Sequence, residues 1–215
     1  MRKDIIEQWA SQNNVAITDQ QWMKLAAFQQ TVLETNKKMN LTAITASEDF
    51  AVKHIIDSMT LLPYIPSGAT VLDIGTGAGF PGVVLGIMRP DIKLSLLDSM
   101  KKRISFLEES LAMLQLPEVT CIPQRAEEWA RTGAQYDICT ARAVAKMDKL
   151  VKYALPLVAP GGTLLAMKGP DIEEEIDNAK PALKKQGGSI KSVDLVRLAP
   201  GIEHSIIVVQ RTVKD

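Results

Sequence analysis

The chain has 215 residues, 46% of them hydrophobic and 23% charged, a length for one α/β domain plus an extension but short for two full domains. Its 25 lysines and arginines balance 25 aspartates and glutamates, which excludes a molecule that binds nucleic acid or anionic lipid by overall charge. Any nucleic-acid contact has to come from a local basic patch.

Residues 1–66 read as helical. Ile5, Ile6 and Trp9 recur at helical spacing, and Thr18 opens a longer segment with Trp22, Leu25, Phe28, Val32 and Leu33 on one stripe. After the break TNKKMNLTA, a third helix is expected to begin with Ser47 as its N-cap, although no Glu or Gln follows at the capping-box position. The pattern then changes at Thr70. Strands are predicted at TVLDI, KLSLLD, VTCI, YDICTA and TLLAMK, alternating with helices over 81–88, 101–114, 150–158 and 172–185. Such alternation predicts a parallel sheet with helices on both faces. Gly187-Gly188 stops the last helix. Strands over 189–198 and 204–210 follow, and the APGIE link between them is too short for a crossover, so they are expected to be antiparallel. The expected organisation is a helical N-terminal extension over 1–66 and an α/β domain over 67–215. Cys121 and Cys139 lie in predicted strands and read as reduced; no metal site is expected. Trp9, Trp22 and Trp129 read as core residues. No apolar run has the length of a membrane span, and MRKDIIEQWA lacks a signal peptide's apolar centre, so a soluble cytoplasmic protein is expected.

The chemistry concentrates at LDIGTGAGFPG, residues 72–82. This stretch follows a predicted strand and opens a predicted helix, and its glycines allow positive φ and close approach of a ligand. Gly77, Gly79 and Gly82 spell the GxGxxG of dinucleotide sites, while Asp73, Gly75, Gly77 and Gly79 spell the DxGxGxG of S-adenosylmethionine (SAM) enzymes. A pyrophosphate disfavours a neighbouring carboxylate, whereas SAM carries an ammonium and a sulfonium that Asp73 would attract. Asp98, closing LSLLD, is placed to take ribose hydroxyls of either ligand. The loop is therefore expected to bind SAM, and the antiparallel end is how class I, Rossmann-like methyltransferase sheets typically finish, by analogy of fold.

Further motifs extend along nearly the whole chain: NLTAI (40–44), KHIIDS (53–58), LLDSMKKRISFL (96–107), RAEEWA (125–130), ARAVAKMDKL (141–150) and APGGTLLAMKG (159–169). With the glycine loop they make the chain resemble the bacterial 16S rRNA guanine-N7 methyltransferase family, the glucose-inhibited division protein B group. The resemblance implies SAM as methyl donor and one guanine of 16S rRNA, within a small ribosomal subunit particle, as target. It implies SAM contacts at Gly75 and Phe80, an adenine-side segment at Ala126 and Glu127, and Arg142 near the methionine end or the target base. From the residues alone, Phe80 reads equally as a core aromatic bracing the loop, Glu127 as a solvated acid at a helix start, and Arg142 as a surface ion-pair partner. Gln124 stands where many members have Gly, and the chain ends on QRTVKD where many continue into a basic, proline-rich tail.

TARAVA, after the predicted fourth strand, holds neither the Asn/Asp-Pro-Pro-aromatic motif of amine methylation nor a Cys after Pro. That fits guanine N7, whose in-plane lone pair needs no activation, so no general base is assigned. Arg142 is the candidate substrate positioner, with a guanidinium suited to bidentate contact. Lys101, Lys102, Arg103, Arg125, Arg142, Lys146, Lys149 and Lys168 follow strand ends and are candidates for an RNA-facing rim, interrupted by Asp171 and Glu173 to Glu175. His54, with Asp57 one turn on, reads either as a structural histidine or as an RNA contact. A small-molecule methyltransferase, a Rossmann oxidoreductase and a SAM-binding module without catalysis are the competing readings. A monomer is the default expectation.

Overall fold

A computed structural model describes residues 1–212 of the chain. Strands β1 (Thr70–Ile74), β2 (Lys93–Leu97), β3 (Thr120–Ile122), β4 (Tyr136–Arg142), β5 (Val158–Lys168), β6 (Gly188–Ala199) and β7 (Ile202–Arg211) form one sheet in the order β3-β2-β1-β4-β5-β7-β6. The first five pair in parallel, and β7 runs antiparallel to both β5 and β6. The expected sheet is therefore present, including its antiparallel end. The β6–β7 turn is Pro200-Gly201, with Gly201 at φ 74°, a conformation glycine takes without a Cβ penalty.

Among the described residues, apart from two short 3₁₀ turns, the helical segments around the sheet are α1 (Lys3–Gln12), α2 (Asp19–Asn36), α3, α4 (Gly82–Met88), α5 (Lys101–Met113), α6 (Ala126–Ala130), α7 (Met147–Ala154) and α8 (Glu173–Gln186). Segment α3 is composite: Ser47–Phe50, a π-helical stretch Ala51–Ile56, then Asp57–Met59. Its N-cap is Ala46 rather than Ser47, and no side chain bonds the free amides there. Thr18 caps α2 in full: its hydroxyl accepts from the Gln21 amide, and the Gln21 side chain accepts from the Thr18 amide. The helix expected over 150–158 instead runs Met147–Ala154. Pro156 cannot continue it, so Leu155–Leu157 form a 3₁₀ turn and Val158 already pairs with Tyr136 in the sheet.

Strand alternation sorts the core onto the two faces. Val71, Leu94, Leu96, Ile138, Leu165 and Met167 point to one side, where α1 to α5 supply Trp9, Trp22, Phe28, Ile55, Val83 and Leu107. Leu72, Ile74, Leu97, Cys139, Leu164 and Ala166 point to the other, covered by α7 and α8, with Ala126 and Trp129 of α6 packed against them. The N-terminal helices thus share one continuous core with α4 and α5. Trp129, expected in the core like Trp9 and Trp22, is half-buried, its indole N–H donating to Tyr136 Oη at 3.1 Å. Cys121 and Cys139 are free thiols in β3 and β4. Among the described residues no helix is long and apolar enough to cross a membrane.

Candidate active site

The strand order reverses between β1 and β4, and a crevice opens there at the carboxyl ends of the parallel strands. The glycine loop leaves β1 and folds back over β2. Gly75 and Thr76 donate to the Leu97 carbonyl at 2.8 and 3.1 Å, and Gly79 and Phe80 to the Thr76 carbonyl at 2.8 and 3.2 Å. Gly77 donates to Asp98 Oδ2 at 3.0 Å, Gly82 to Asp73 Oδ2 at 2.9 Å, and Val83 to the Gly79 carbonyl at 2.8 Å. Nearly all the amides that a pyrophosphate would require, in the loop and at the start of α4, are therefore already bonded within the protein. A dinucleotide-type anion site needs them free. The loop suits a ligand that meets it through shape and through the acids around it.

The crevice comprises two hollows. The first, of about 430 Å³, is bounded by Gly75 beyond β1, by Asp98 and Met100 beyond β2, by Gln124 to Glu127 beyond β3, and by Ala143 to Ala145 beyond β4, with Tyr153 of α7. Gly75 sits at φ 67°, and a Cβ there would lie 2.9 Å from Val144, so the backbone at the wall has to stay bare. Asp98, almost fully buried, holds the wall together: Oδ1 accepts from the Met100 amide at 2.8 Å, and Arg103 lies 3.4 Å from Oδ2. Burial and the Glu127 carboxylate push the Tyr153 phenol up to about 12, so it remains neutral. This donor set, with two carboxylates around a partly apolar hollow, fits a cationic nucleoside such as SAM.

The second hollow, of about 320 Å³, shares Ala143 with the first as a wall and is further bounded by Asp57, Arg142, Met167, Lys168, Gly169 and His204. The register that pairs Arg142 with Met167 carries the arginine to the carboxyl end of β4. Ala143, the next residue, has φ 53°, a strained value for a residue with a side chain, and strain of this kind clusters at functional sites.

The model of the GidB family, rRNA small subunit methyltransferase G, matches residues 21–204. The chain belongs to this family. The ribosomal RNA small subunit methyltransferase G of Alkaliphilus oremlandii is 42% identical over 217 residues, spanning 97% of this chain and 90% of that protein. Among solved structures, a methyltransferase from Pyrococcus furiosus superposes with a TM-score of 0.59 at 13% identity, covering 88% of this chain and 98% of its own. TYW2 of M. jannaschii, solved in complex with AdoMet, superposes with a TM-score of 0.56 at 17% identity, covering 73% of this chain and 74% of its own. Both are likenesses of fold. The rRNA methyltransferase G family uses SAM as methyl donor, and the expected family and class of enzyme stand.

Within the family frame the candidate residues divide by position. Gly75, Asp98, Ala126 and Glu127 line the first hollow, as do Arg103 and Arg125. Gly77 and Gly79 shape the loop behind it. Asp73 is fully buried beneath the loop, where Oδ1 accepts from the Thr140 hydroxyl at 2.9 Å and Oδ2 from Gly82, so it braces α4 instead of facing the ligand. The sequence places Asp73 beside a cation; the structure shows a carboxylate without access to one. Phe80 likewise turns into the core, its ring 5.2 Å from Phe28, 5.6 Å from Phe50 and stacked 4.2 Å from His54, which is the bracing role.

Arg142 faces the second hollow, not the first. His54, a candidate RNA contact, is buried with both ring nitrogens bonded, to Thr42 and Arg142, and does not reach the surface. Of the basic rim, Lys101, Lys102, Arg125, Lys146 and Lys149 are exposed, Arg103 leans on Asp98, and Lys168 is tied to Glu175 and the Ala145 carbonyl. Met100, Val144, Tyr153 and His204 were not legible as site residues. Met100 and Val144 follow strand ends, which is a usable signal; Tyr153 and His204 carry none.

Proposed function

We propose that this chain transfers the methyl group of SAM to N7 of one guanine in 16S rRNA, with SAM in the first hollow and the target base in the second. Two neighbouring hollows that share Ala143 as a wall, one built on the glycine loop and the other presenting Arg142, carry this reading. When bound, SAM supplies an electrophilic methyl on sulfur. Gly75, through its bare backbone, and Asp98, Ala126 and Glu127 hold it, Asp98 toward the ribose. Arg142 meets the base at O6 and leaves the N7 lone pair free.

No nucleophile or base is needed at N7, whose in-plane lone pair is already available. Burial pushes the Cys121 thiol to about 11 and Cys139 higher still, so neither is a thiolate at neutral pH. The work left to the protein is alignment, which supplies about 7–11 kcal/mol in favourable cases. Lys101, Lys102, Arg125, Lys146 and Lys149 form the RNA-facing rim. Lys101 to Arg103 open α5 with no acid in its first turn, where the helix dipole disfavours cations. That local cost argues for an anionic partner. The helical segment 1–66 is an extension whose Asp57 closes one side of the base hollow. The enzyme acts as a cytoplasmic monomer on 16S rRNA within a small ribosomal subunit particle.

The test uses methyl-labelled SAM and small subunits from cells lacking the enzyme, with subunits from normal cells as control. Label mapped by chain cleavage at N7-methylguanine should appear at one guanine and be absent from the control. Binding of SAM without transfer to subunits or to protein-free rRNA would refute the assignment.

A further inference from the structure

Arg142 does not stand alone at the end of β4. Its Nη1 donates to the Lys53 carbonyl and to Asp57 Oδ2, both at 2.8 Å, and its Nη2 donates to His54 Nδ1 at 3.1 Å. All three acceptors come from α3, and Lys53 and His54 lie in its π-helical stretch, a local irregularity frequently found at functional sites. A guanidinium has five N–H donors. Three are taken, and among the described residues Nε–H and one Nη2–H have no protein acceptor. Arg142 is half-buried and borders the second hollow.

The acceptors are themselves fixed. For Nδ1 to accept, the His54 ring must be neutral and carry its proton on Nε2. That nitrogen is 2.8 Å from Thr42 Oγ1, which also accepts the Ile44 amide. Burial first, then the Arg142 cation, hold the ring down at about 3, which keeps it neutral. Its face stacks on Phe80, with the planes 4° apart. Asp57 bonds Arg142 with one oxygen and His204 Nδ1 with the other.

We propose that His54 and Asp57 are positioning residues for the methyl transfer, dividing the donors of Arg142 so that its two open N–H groups address the base hollow. The aim of the base-reading arginine is thus set by the N-terminal helical segment and not by the sheet that carries it. This rests on the reading of Arg142 as the group that meets the target guanine.

The test compares His54→Asn with His54→Gln in the full-length enzyme. An Asn amide oxygen falls near the Nδ1 position and keeps the acceptor for Arg142; a Gln amide reaches the Nε2 position and does not. Both lose the stack on Phe80, so they share its cost. Expected are unchanged SAM affinity by calorimetry for both, near-normal kcat/KM on small subunits for His54→Asn, and a fall of about 10–100-fold for His54→Gln, with KM for subunits raised. Equal kcat/KM for the two variants, or the reverse order, would overturn the proposal. If both unfold, Thr42→Val decides, since it removes the partner of Nε2–H: a raised KM for subunits supports the proposal and a normal one overturns it. Arg142→Lys separates the two levels. Wild-type kinetics for it sink the reading of Arg142, whereas impaired kinetics beside equal His54 variants sink only the positioning role.

Discussion

Burial raises the Asp73 carboxyl from 3.8 to about 6, against the Thr140 hydroxyl and the Gly82 amide, which favour its charged form. Between those values the native state holds a proton that the unfolded chain has released. Stability from this group therefore falls as pH rises through that window, by about 3 kcal/mol in all. His54 behaves oppositely. Its ring stays neutral down to about 3 while the unfolded chain protonates below 6.5, so stability is lost as pH falls, by about 5 kcal/mol over the range. From pH 4 to 6 the two slopes nearly cancel. Asp73→Asn should leave the His54 slope exposed and lose stability more steeply than the parent on acidification, and His54→Asn should do the reverse. Urea midpoints at three pH values in that window check this, and profiles parallel to the parent's would contradict it. A second contrast concerns close packing. A Cβ on Gly82 would run into Leu96 and lie 2.7 Å from Asp73 Oδ2, whereas one on Gly169 meets nothing within 4 Å. Gly82→Ala should cost about 1–3 kcal/mol and Gly169→Ala less than about 0.5 kcal/mol in thermal or urea denaturation.

At the scale of elements, Gln21 does more than complete a cap. Its side-chain amide also donates to the Ile87 and Met88 carbonyls at 3.3 and 3.1 Å, joining the start of α2 to the end of α4. Thr18→Ala should cost about 1 kcal/mol, and Gln21→Ala should cost more because it also strips partners from two α4 carbonyls. Melting temperatures of the two variants order these effects; equal losses would mean that the tie to α4 contributes nothing. Element type was legible wherever a local pattern carried it: the strand alternation, the Gly187 stop and the short β6–β7 link were all read from sequence. The start of α3 was not, because Ser47 lacks the acidic or amide partner three residues on that makes a capping serine recognisable. Nor was its π-helical stretch, since about one extra residue per turn barely disturbs the hydrophobic pattern of a segment as short as AVKHII. The end of α7 went astray because LPLVAP is apolar throughout, and hydrophobicity alone does not separate a helix end from a strand start.

For the whole molecule, the sharing of one core by α1 to α5 has a direct consequence. A chain beginning at residue 67 would expose Val83, Val84, Ile104 and Leu107, all buried in the full chain. It should aggregate or lack cooperative unfolding, while the full chain unfolds in one transition; calorimetry on both decides, and a soluble, cooperatively folded fragment would make 1–66 a dispensable extension. The sequence by itself determined the α/β order, the SAM-type loop and the family, because these rest on local periodicity and contiguous motifs. Only the tertiary structure decided what each site residue does. Asp73 and Phe80 belong to the same eleven-residue stretch as Gly75, yet burial turns both inward. Arg142, His54, Asp57 and His204 come from β4, α3 and β7, and Asp57 and its histidine partner are 147 positions apart in the chain. No spacing along the chain encodes such a meeting. It follows from the sheet order and from the packing of the N-terminal helices over the end of β4, where side chains far apart in sequence must satisfy one another once water is gone.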